Sequence, residues 1–441
     1  MAVQTPEQLR LRVPRCLLDP GPAGVGRGLP PGDGEGLLAV ELCLANGRIT
    51  AIRALEENEG CRAGPLPIAL TPLLEPHAHL DKAFSGGTFP NPEGSMAGAL
   101  AANIAEASAR TAALVLQRGE RALEQGWRYG LRGIRSHIDS GGPQERPSWE
   151  ALLELRQRWR GRVDLQLAAL VPLAHWSTPA GEALAARLAA TGGAEGGLLL
   201  GAVLGPPFTE GYRQGAQLRQ LLQLAERHGL GIDLHLDESD RQPALGLKLL
   251  LRQLAAVPVT VPITCSHCCS LALLPEPAQR RLAAAMARRG IAVVALPTTN
   301  LWLLGRRRGL THPTRPIAPL RLLQQEGVVT AIGGDNVQDP WYPGGDMDPI
   351  DLLRLAMPAQ QLGPWQRQGL MPFGSAAARL MGLAWDGVLR QGAAADLLVL
   401  GASSWGELLA RPPQRRVLRA GRWLEPPQGQ QPDPRLASLG G

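Results

Sequence analysis

The sequence predicts a (β/α)₈ TIM-like barrel that carries a small β-sandwich. Eight short apolar segments alternate with longer helical patterns over about 310 residues, which is typical of a barrel of parallel strands. Segments of antiparallel character flank that region at both ends of the 441-residue chain. The alternative is a doubly wound open sheet, but the Gly-rich phosphate-binding turn that would favour it is missing from the sequence.

The barrel is expected to occupy residues 67–380. Its first strand is the apolar run that begins at Ile68 and precedes His77. The other seven strands are predicted at 131–138, 162–171, 197–204, 230–236, 258–266, 290–297 and 327–333. The helical patterns are found at 98–129, 149–160, 212–228, 245–255 and 276–289.

Both ends of the chain contribute β structure outside the barrel. Asn46-Gly47 separates two apolar runs, a strong signal for a β-hairpin. A strand over 392–400 and a hairpin over 416–424 follow the barrel. We therefore expect residues 1–66 and 381–425 to combine into one composite sandwich, and the tail 426–441 to be disordered.

Composition excludes several classes of function. The formal charge is +6, but the arginines are scattered among acidic residues and aromatic residues make up only 4%, so no nucleic-acid partner is expected. No run of 18 apolar residues exists, and Glu7 and Arg10 interrupt the N-terminus where a signal peptide would need an apolar core. Six cysteines in a chain of this length are not a disulfide framework. The prediction is a cytoplasmic protein without a membrane segment.

Histidines recur at the carboxyl ends of the predicted strands, where barrel enzymes place their catalytic groups. His77 and His79 point to the same face if they lie on a strand. Asp335 follows the eighth strand. Five of the eight histidines lie at such ends, namely His77, His79, His137, His235 and His267.

This pattern predicts a site for one divalent metal ion, either Zn²⁺ or Fe²⁺. The candidate ligands are His77, His79, His235 and Asp335. Such an ion lowers the pKa of bound water toward about 7, so that hydroxide is available at neutral pH. Glu238 is expected to carry a proton from that water to a substrate nitrogen. His267 is expected to orient the hydroxide, and Asp335 to share the proton transfer.

Four short motifs hold these residues. They are Glu75-Pro76-His77-x-His79-Leu80-Asp81, His235-x-x-Glu238, Ser266-His267, and Gly334-Asp335 followed by Asp339-Pro340-Trp341-Tyr342-Pro343. In order and spacing they resemble the cytosine deaminase branch of the amidohydrolase superfamily, over residues 65–405. The resemblance implies hydrolytic deamination of a small cyclic amidine with one divalent ion. It also implies that Glu238 protonates the ring nitrogen, that His267 is the catalytic histidine and that Trp341 lines the pocket.

Two of the candidate substrate-binding residues depart from that family. Leu173 stands where cytosine deaminases carry a glutamine, and each polar group of cytosine left unpaired would cost about 1–3 kcal/mol. Asn336 stands where the family has a second aspartate. We therefore predict cytosine deaminase-like hydrolysis of a C–N bond in a small cyclic amidine or heterocycle, and the two departures weigh against cytosine itself and leave a substituted pyrimidine or a triazine as related rings. A cyclic-amide or N-alkylamine hydrolase on the same scaffold and a catalytically silent binding homologue remain as alternatives.

Two further features leave their alternatives open. The basic loop 305–316 follows the seventh strand, and it is either a solvated loop or a lid over an anionic or carbonyl-rich substrate. The expected partner is a small heterocyclic molecule. Barrels of this size often form homo-oligomers, which the sequence does not settle.

Overall fold

A computed structural model describes residues 7–18, 28–56, 65–192, 196–208, 211–307, 309–425 and 434–437. The strands of the N-terminal part are β1 (Glu7–Pro14), β2 (Leu37–Ala45), β3 (Arg48–Ala54) and β4 (Ile68–Leu70). The next eight are β5 (Leu73–Ala78), β6 (Leu131–Asp139), β7 (Asp164–Pro172), β8 (Leu198–Leu204), β9 (Gly231–Leu236), β10 (Ile263–His267), β11 (Ala292–Ala295) and β12 (Thr330–Ile332). The last three are β13 (Leu397–Leu400), β14 (Arg415–Arg419) and β15 (Arg422–Trp423).

Helices separate the barrel strands. Before β8 they are α1 (Met96–Ala109), α2 (Ala112–Tyr129), α3 (Glu145–Arg158) and α4 (Pro179–Gly192). Between β8 and β12 they are α5 (Gly211–His228), α6 (Leu245–Ala256), α7 (Glu276–Arg288), α8 (Pro297–Leu303) and α9 (Leu320–Gln325). After β12 they are α10 (Pro349–Gln360), α11 (Arg367–Leu370), α12 (Ser375–Met381), α13 (Trp405–Ala410) and α14 (Pro434–Ala437).

Strands β5 to β12 form one parallel sheet in sequential order, which confirms the predicted barrel class. The ends of this sheet meet where Ala78 forms a parallel bridge with Asp335. Every residue of β10, β11 and β12 is buried, as expected for strands that are covered by helices on one face and packed in the barrel on the other.

The two ends of the chain form a separate sheet, as predicted. Its seven strands lie in the order β15-β14-β13-β4-β1-β2-β3. All seven belong to one continuous hydrogen-bonded sheet, because β4 pairs with β13 on one side and with β1 on the other. The apolar run expected to be the first barrel strand is therefore divided, with Ile68–Leu70 in this sheet and Leu73–Ala78 in the barrel.

The helical stretch 98–129 is also divided, into α1 and α2. Thr111 begins the second helix, since its side chain accepts a hydrogen bond from the backbone N–H of Leu114. The break places Arg110 outside regular helix, where its guanidinium is buried among carboxylates. Helical periodicity alone did not reveal this break.

Within the tail 426–441, residues 434–437 are described and form α14 with Leu436 buried, and disorder of the tail as a whole stays a prediction. Five cysteines are free thiols, whereas Cys61 lies outside the described residues. No helix among the described residues is long and apolar enough to cross a membrane.

Candidate active site

The barrel brings the five histidines of the strand ends together. The ring centroid of His77 lies 3.9 Å from that of His137, 4.6 Å from that of His235 and 5.3 Å from that of His79. The centroids of His235 and His267 are 5.0 Å apart. All five side chains are buried, so burial lowers the pKa of each imidazole and favours the neutral form that binds metals.

The four candidate ligands present their donor atoms to one another. Nε2 of His77 and Nε2 of His79 lie 3.5 and 3.2 Å from Oδ1 of Asp335, and Nε2 of His235 lies 3.4 Å from Nε2 of His79. A tetrahedral ion with bonds of about 2.1 Å separates its ligand atoms by about 3.4 Å, which matches these distances. His77, His79 and Asp335 form one group whose ligand atoms all lie within 4.8 Å of one another, which suits a small divalent cation. His235 adjoins this group through its contact with His79.

Unpaired polar atoms also favour a cation at this point. His77 Nε2 and both carboxylate oxygens of Asp335 are buried without a hydrogen-bond partner among the described residues. Buried polar atoms are normally satisfied, and a metal ion would satisfy these. A second triad, His77 with His137 and His235, also has its ligand atoms within range of one ion. The sequence had marked His137 only as a histidine at a strand end.

A chain of hydrogen bonds orients His77. Its Nδ1 lies 2.8 Å from the hydroxyl oxygen of Ser266, which donates to Asp233 at 2.9 Å. The other carboxylate oxygen of Asp233 accepts from Arg135 at 2.7 Å. Since the Ser266 proton goes to Asp233, the oxygen of Ser266 accepts the Nδ1 proton of His77 and leaves Nε2 with a free lone pair. Sequence reasoning missed Asp233, although it lies on the same face of β9 as His235, two residues earlier.

Glu238 and His267 lie side by side. Oε1 of Glu238 is 3.5 Å from Nδ1 of His267, and the side-chain amide nitrogen of Asn300 lies 3.2 and 3.0 Å from the same two atoms. Burial raises the pKa of Glu238 well above its usual range, and the nearby charge of Asp335 raises it further. The carboxyl of Glu238 is therefore poised to hold a proton at neutral pH.

Backbone strain is concentrated at the same place. His267 and Asp335 have φ angles of 69° and 67°, in the left-handed region that side chains other than glycine rarely adopt. Such conformations persist only where the surroundings impose them, and they are found disproportionately at functional sites.

Buried charges adjoin the histidines. Arg110 pairs with Asp81 at 2.6 Å, with Asp139 at 3.2 Å and with Glu106, while the ammonium of Lys82 lies 3.0 Å from Asp139. Burial would lower the pKa of Lys82, but Asp139 and Asp81 outweigh it and raise that pKa. Burial would raise the pKa of Asp139, but Lys82 and Arg110 hold it below its usual range. Both groups thus stay charged, and both line the cavity described next.

A cavity of about 1000 Å³ opens above these side chains. His77 lies beneath its lining, and Leu100, Ile104 and Val203 are exposed apolar residues along its wall. Eight residues that the sequence singled out line this cavity, namely His79, Leu173, His235, Glu238, His267, Asp335, Asn336 and Trp341.

Three of these were expected to contact substrate. Leu173 presents an apolar side chain at the end of β7, and Trp341 has a buried indole N–H without a hydrogen-bond partner among the described residues. The amide of Asn336 is engaged, because it donates to Asp339 at 2.8 Å while its oxygen lies 3.4 Å from the Thr299 hydroxyl. Asn336 thus also holds the loop that carries Trp341.

The basic loop lies apart from this cavity where it is described. The guanidinium of Arg306 packs over the ring of Trp302 at 4.6 Å, and Trp302 lines a separate cavity. Arg308 lies outside the described residues. The lid therefore remains a prediction.

Comparison with known proteins identifies the family of this chain. A profile of the amidohydrolase family matches residues 90–423. The chain is 34% identical over 396 residues to a pterin deaminase from Rhizobium rhizogenes, which covers 89% of each protein. The chain belongs to the amidohydrolase family. It is accordingly a hydrolase that acts on C–N bonds other than peptide bonds. The H-x-H motif at 77–79 lies just before the residues that the family profile matches.

Solved structures of other enzymes share the fold. A 5-methylcytosine deaminase from Klebsiella pneumoniae superposes with a TM-score of 0.76 at 23% identity, covering 90% of this chain and 97% of that one. An N-isopropylammelide isopropylaminohydrolase from Burkholderia multivorans superposes with a TM-score of 0.67 at 26% identity, covering 94% and 98%. The resemblance to the deaminase branch of this superfamily is thus confirmed.

Proposed function

We propose that this chain is a metal-dependent aminohydrolase that releases ammonia from a fused 2-amino-4-oxo heterocycle of the pterin type. The observation that carries the proposal is the convergence of His77, His79, His235 and Asp335 below a cavity that also contains Glu238 and His267. The pterin deaminase, similar over 89% of its length, supports the choice of ring.

Cavity size and polarity support a bicyclic substrate. At about 1000 Å³ the cavity is at the upper end of the range for small-molecule sites and exceeds what one pyrimidine ring needs. Leu173 offers no hydrogen bond to the polar edge of cytosine, whereas an apolar wall suits the second ring of a pterin.

The candidate ligands His77, His79, His235 and Asp335 would hold one divalent ion. When bound, that ion supplies a centre that lowers the pKa of water toward about 7. The protein supplies the proton transfers. Glu238, protonated because it is buried, donates to the ring nitrogen beside the carbon that loses its amino group. One proton of the attacking water would reach the leaving amino group with the help of Asp335 and the other would restore Glu238, so that a carbonyl replaces NH₂ and ammonia is released.

A second candidate reaction is release of an alkylamine from a substituted triazine. The similarity to the N-isopropylammelide isopropylaminohydrolase, at 26% identity over 94% of this chain, favours it. Both reactions need the same ligands and proton donor, and they differ in the leaving group and in the ring that the cavity accepts.

A substrate panel with metal-loaded protein tests the proposal. Ammonia release would be measured from pterin, guanine, cytosine and ammelide, and isopropylamine release from N-isopropylammelide, after reconstitution with Zn²⁺ or Fe²⁺. We expect the highest kcat/KM for ammonia release from pterin. Isopropylamine as the main product would favour the second candidate. A protein that binds one ion per chain and turns over none of these compounds would refute the proposal.

A further inference from the structure

Asn300 lies between the two candidate proton-transfer residues. It is fully buried in α8, and neither family resemblance nor sequence pattern marked it as part of the site. Its side-chain nitrogen lies 3.0 Å from Nδ1 of His267 and 3.2 Å from Oε1 of Glu238. One amide group thus contacts both residues.

The amide oxygen of Asn300 also has a hydrogen-bond partner. The thiol of Cys269 lies 3.0 Å from Oδ1 of Asn300, and burial raises the pKa of that thiol well above its usual value. A protonated thiol donates a hydrogen bond, so the amide oxygen faces Cys269 and the NH₂ group faces His267 and Glu238. The orientation of the amide therefore follows from the chemistry of its three neighbours.

This orientation determines where His267 carries its proton. Because Asn300 donates to Nδ1, Nδ1 must be the unprotonated nitrogen of a neutral imidazole, and the proton resides on Nε2. Nε2 of His267 is buried and has no hydrogen-bond partner among the described residues, and His267 lines the large cavity. The free N–H of His267 is thus available to a group bound in that cavity.

We propose that Asn300 is a positioning residue that fixes His267 as the Nε2–H tautomer and holds the carboxyl of Glu238 beside it. His267 then acts as a hydrogen-bond donor toward the reacting atoms. This inference rests on the proposed aminohydrolase function, since it assigns the state in which His267 and Glu238 serve that reaction. Cys269 donates to the amide oxygen of Asn300. Among the described residues, no hydrogen bond joins Cys269 to His267 or Glu238.

The Asn300→Asp variant tests the inference because it keeps the shape and replaces the donor by an acceptor. A carboxylate at this position would attract a proton to Nδ1 of His267 and oppose ionisation of the Glu238 carboxyl when that group donates its proton. With pterin as the probe substrate and zinc-loaded enzyme, we expect kcat to fall about 100-fold or more while KM changes less than threefold. The pH profile of kcat should shift as well, which a purely structural defect would not cause. The matched control is Asn46→Asp, an exposed turn residue of the N-terminal sheet.

The tautomer itself can be measured without turnover. In zinc-loaded protein labelled with ¹⁵N-histidine, His267 should show Nε2 protonated and Nδ1 unprotonated, with the signals assigned by their loss in His267→Gln. In Asn300→Asp the proton should appear on Nδ1. If wild-type His267 is protonated on Nδ1, or if Asn300→Asp retains wild-type kcat with full zinc, the inference is wrong.

Cys269 variants keep the test falsifiable if Asn300→Asp does not fold. Cys269→Ser retains a donor to the amide oxygen, whereas Cys269→Val removes it at similar volume. We expect the ¹⁵N pattern of His267 to survive in the serine variant and to become mixed in the valine variant. Identical patterns in both would contradict the role of the amide orientation. Absence of ammonia release by wild type would instead count against the proposed function, and the ¹⁵N result would still stand on its own.

Discussion

The backbone N–H of Asp335 donates to the carbonyl oxygen of His77 at 2.9 Å, and this bond lies at the seam that closes the barrel. The side chains of the same two residues approach to 3.5 Å between Nε2 and Oδ1. Closure of the barrel and assembly of the candidate metal site therefore depend on the same pair of residues. This arrangement explains how groups more than 250 positions apart in the chain reach ligand distance.

Removal of a candidate ligand should remove the ion. His77→Ala deletes an imidazole whose Nε2 faces Asp335 and whose other nitrogen is held by Ser266. We expect loss of bound Zn²⁺ and of ammonia release together, whereas His228→Ala, at the end of α5, should retain both. Metal content by mass spectrometry and turnover of pterin would be measured on the same samples. A His77→Ala protein with full metal content would remove His77 from the ligand set.

Arg110 should contribute strongly to stability. It is buried with Asp81, Glu106 and Asp139, so Arg110→Met would leave three carboxylates without their shared partner. Breaking a buried ion-pair network by removing one partner costs about 3–5 kcal/mol of unfolding free energy. Urea denaturation of the zinc-loaded protein measures this change.

The matched control is Arg128→Met on α2. The pair between Arg128 and Glu124 is about half exposed at both side chains, and such pairs contribute about 0–1 kcal/mol. Equal losses for the two variants would show that the Arg110 network adds nothing beyond a surface pair.

Features of the fold that arise from local sequence patterns could be predicted, whereas features that arise from tertiary contacts could not. Alternating apolar and helical patterns predicted all eight barrel strands, because burial on both faces leaves strands that are rich in apolar residues. The break at Arg110 was missed, since a helix that ends to bury a charge follows tertiary contacts and not local periodicity.

The same distinction applies to the site. The sequence proposed His77, His79 and Glu238 as site residues because they lie in short motifs, and their roles stay predictions. Asp233 and Asn300 could not be proposed in this way, because a residue that orients another is defined by three-dimensional neighbours. Sequence spacing carried no signal for the contact between Asn300 and His267, which are 33 positions apart.

The raised pKa of Glu238 has a consequence for the pH dependence of activity. Burial raises the pKa of the Glu238 carboxyl well above its usual range, so this group keeps its proton to a higher pH than an exposed glutamate and loses it as the pH rises through the raised pKa. If the protonated form donates to the ring nitrogen, kcat/KM should be retained through neutral pH and decline on the alkaline side. Glu238→Gln should lower kcat by about 10²- to 10⁴-fold, whereas Glu150→Gln on the exposed face of α3 should not. A rate that increases steadily with pH, with no alkaline decline, would contradict this role.

Leu173 should determine which ring is accepted. Its apolar side chain lines the cavity and offers no partner to the carbonyl and ring nitrogen of cytosine. Leu173→Gln supplies a donor and an acceptor, each able to satisfy a polar group whose desolvation otherwise costs about 1–3 kcal/mol. We expect the ratio of kcat/KM for cytosine to that for pterin to increase about 10-fold or more, since 1.4 kcal/mol corresponds to about a factor of ten. Leu173→Met, which preserves the apolar wall, is the matched control and should leave the ratio near that of wild type. If Leu173→Gln lowers kcat/KM for cytosine and for pterin equally, Leu173 affects the shape of the cavity but does not select the ring through hydrogen bonds.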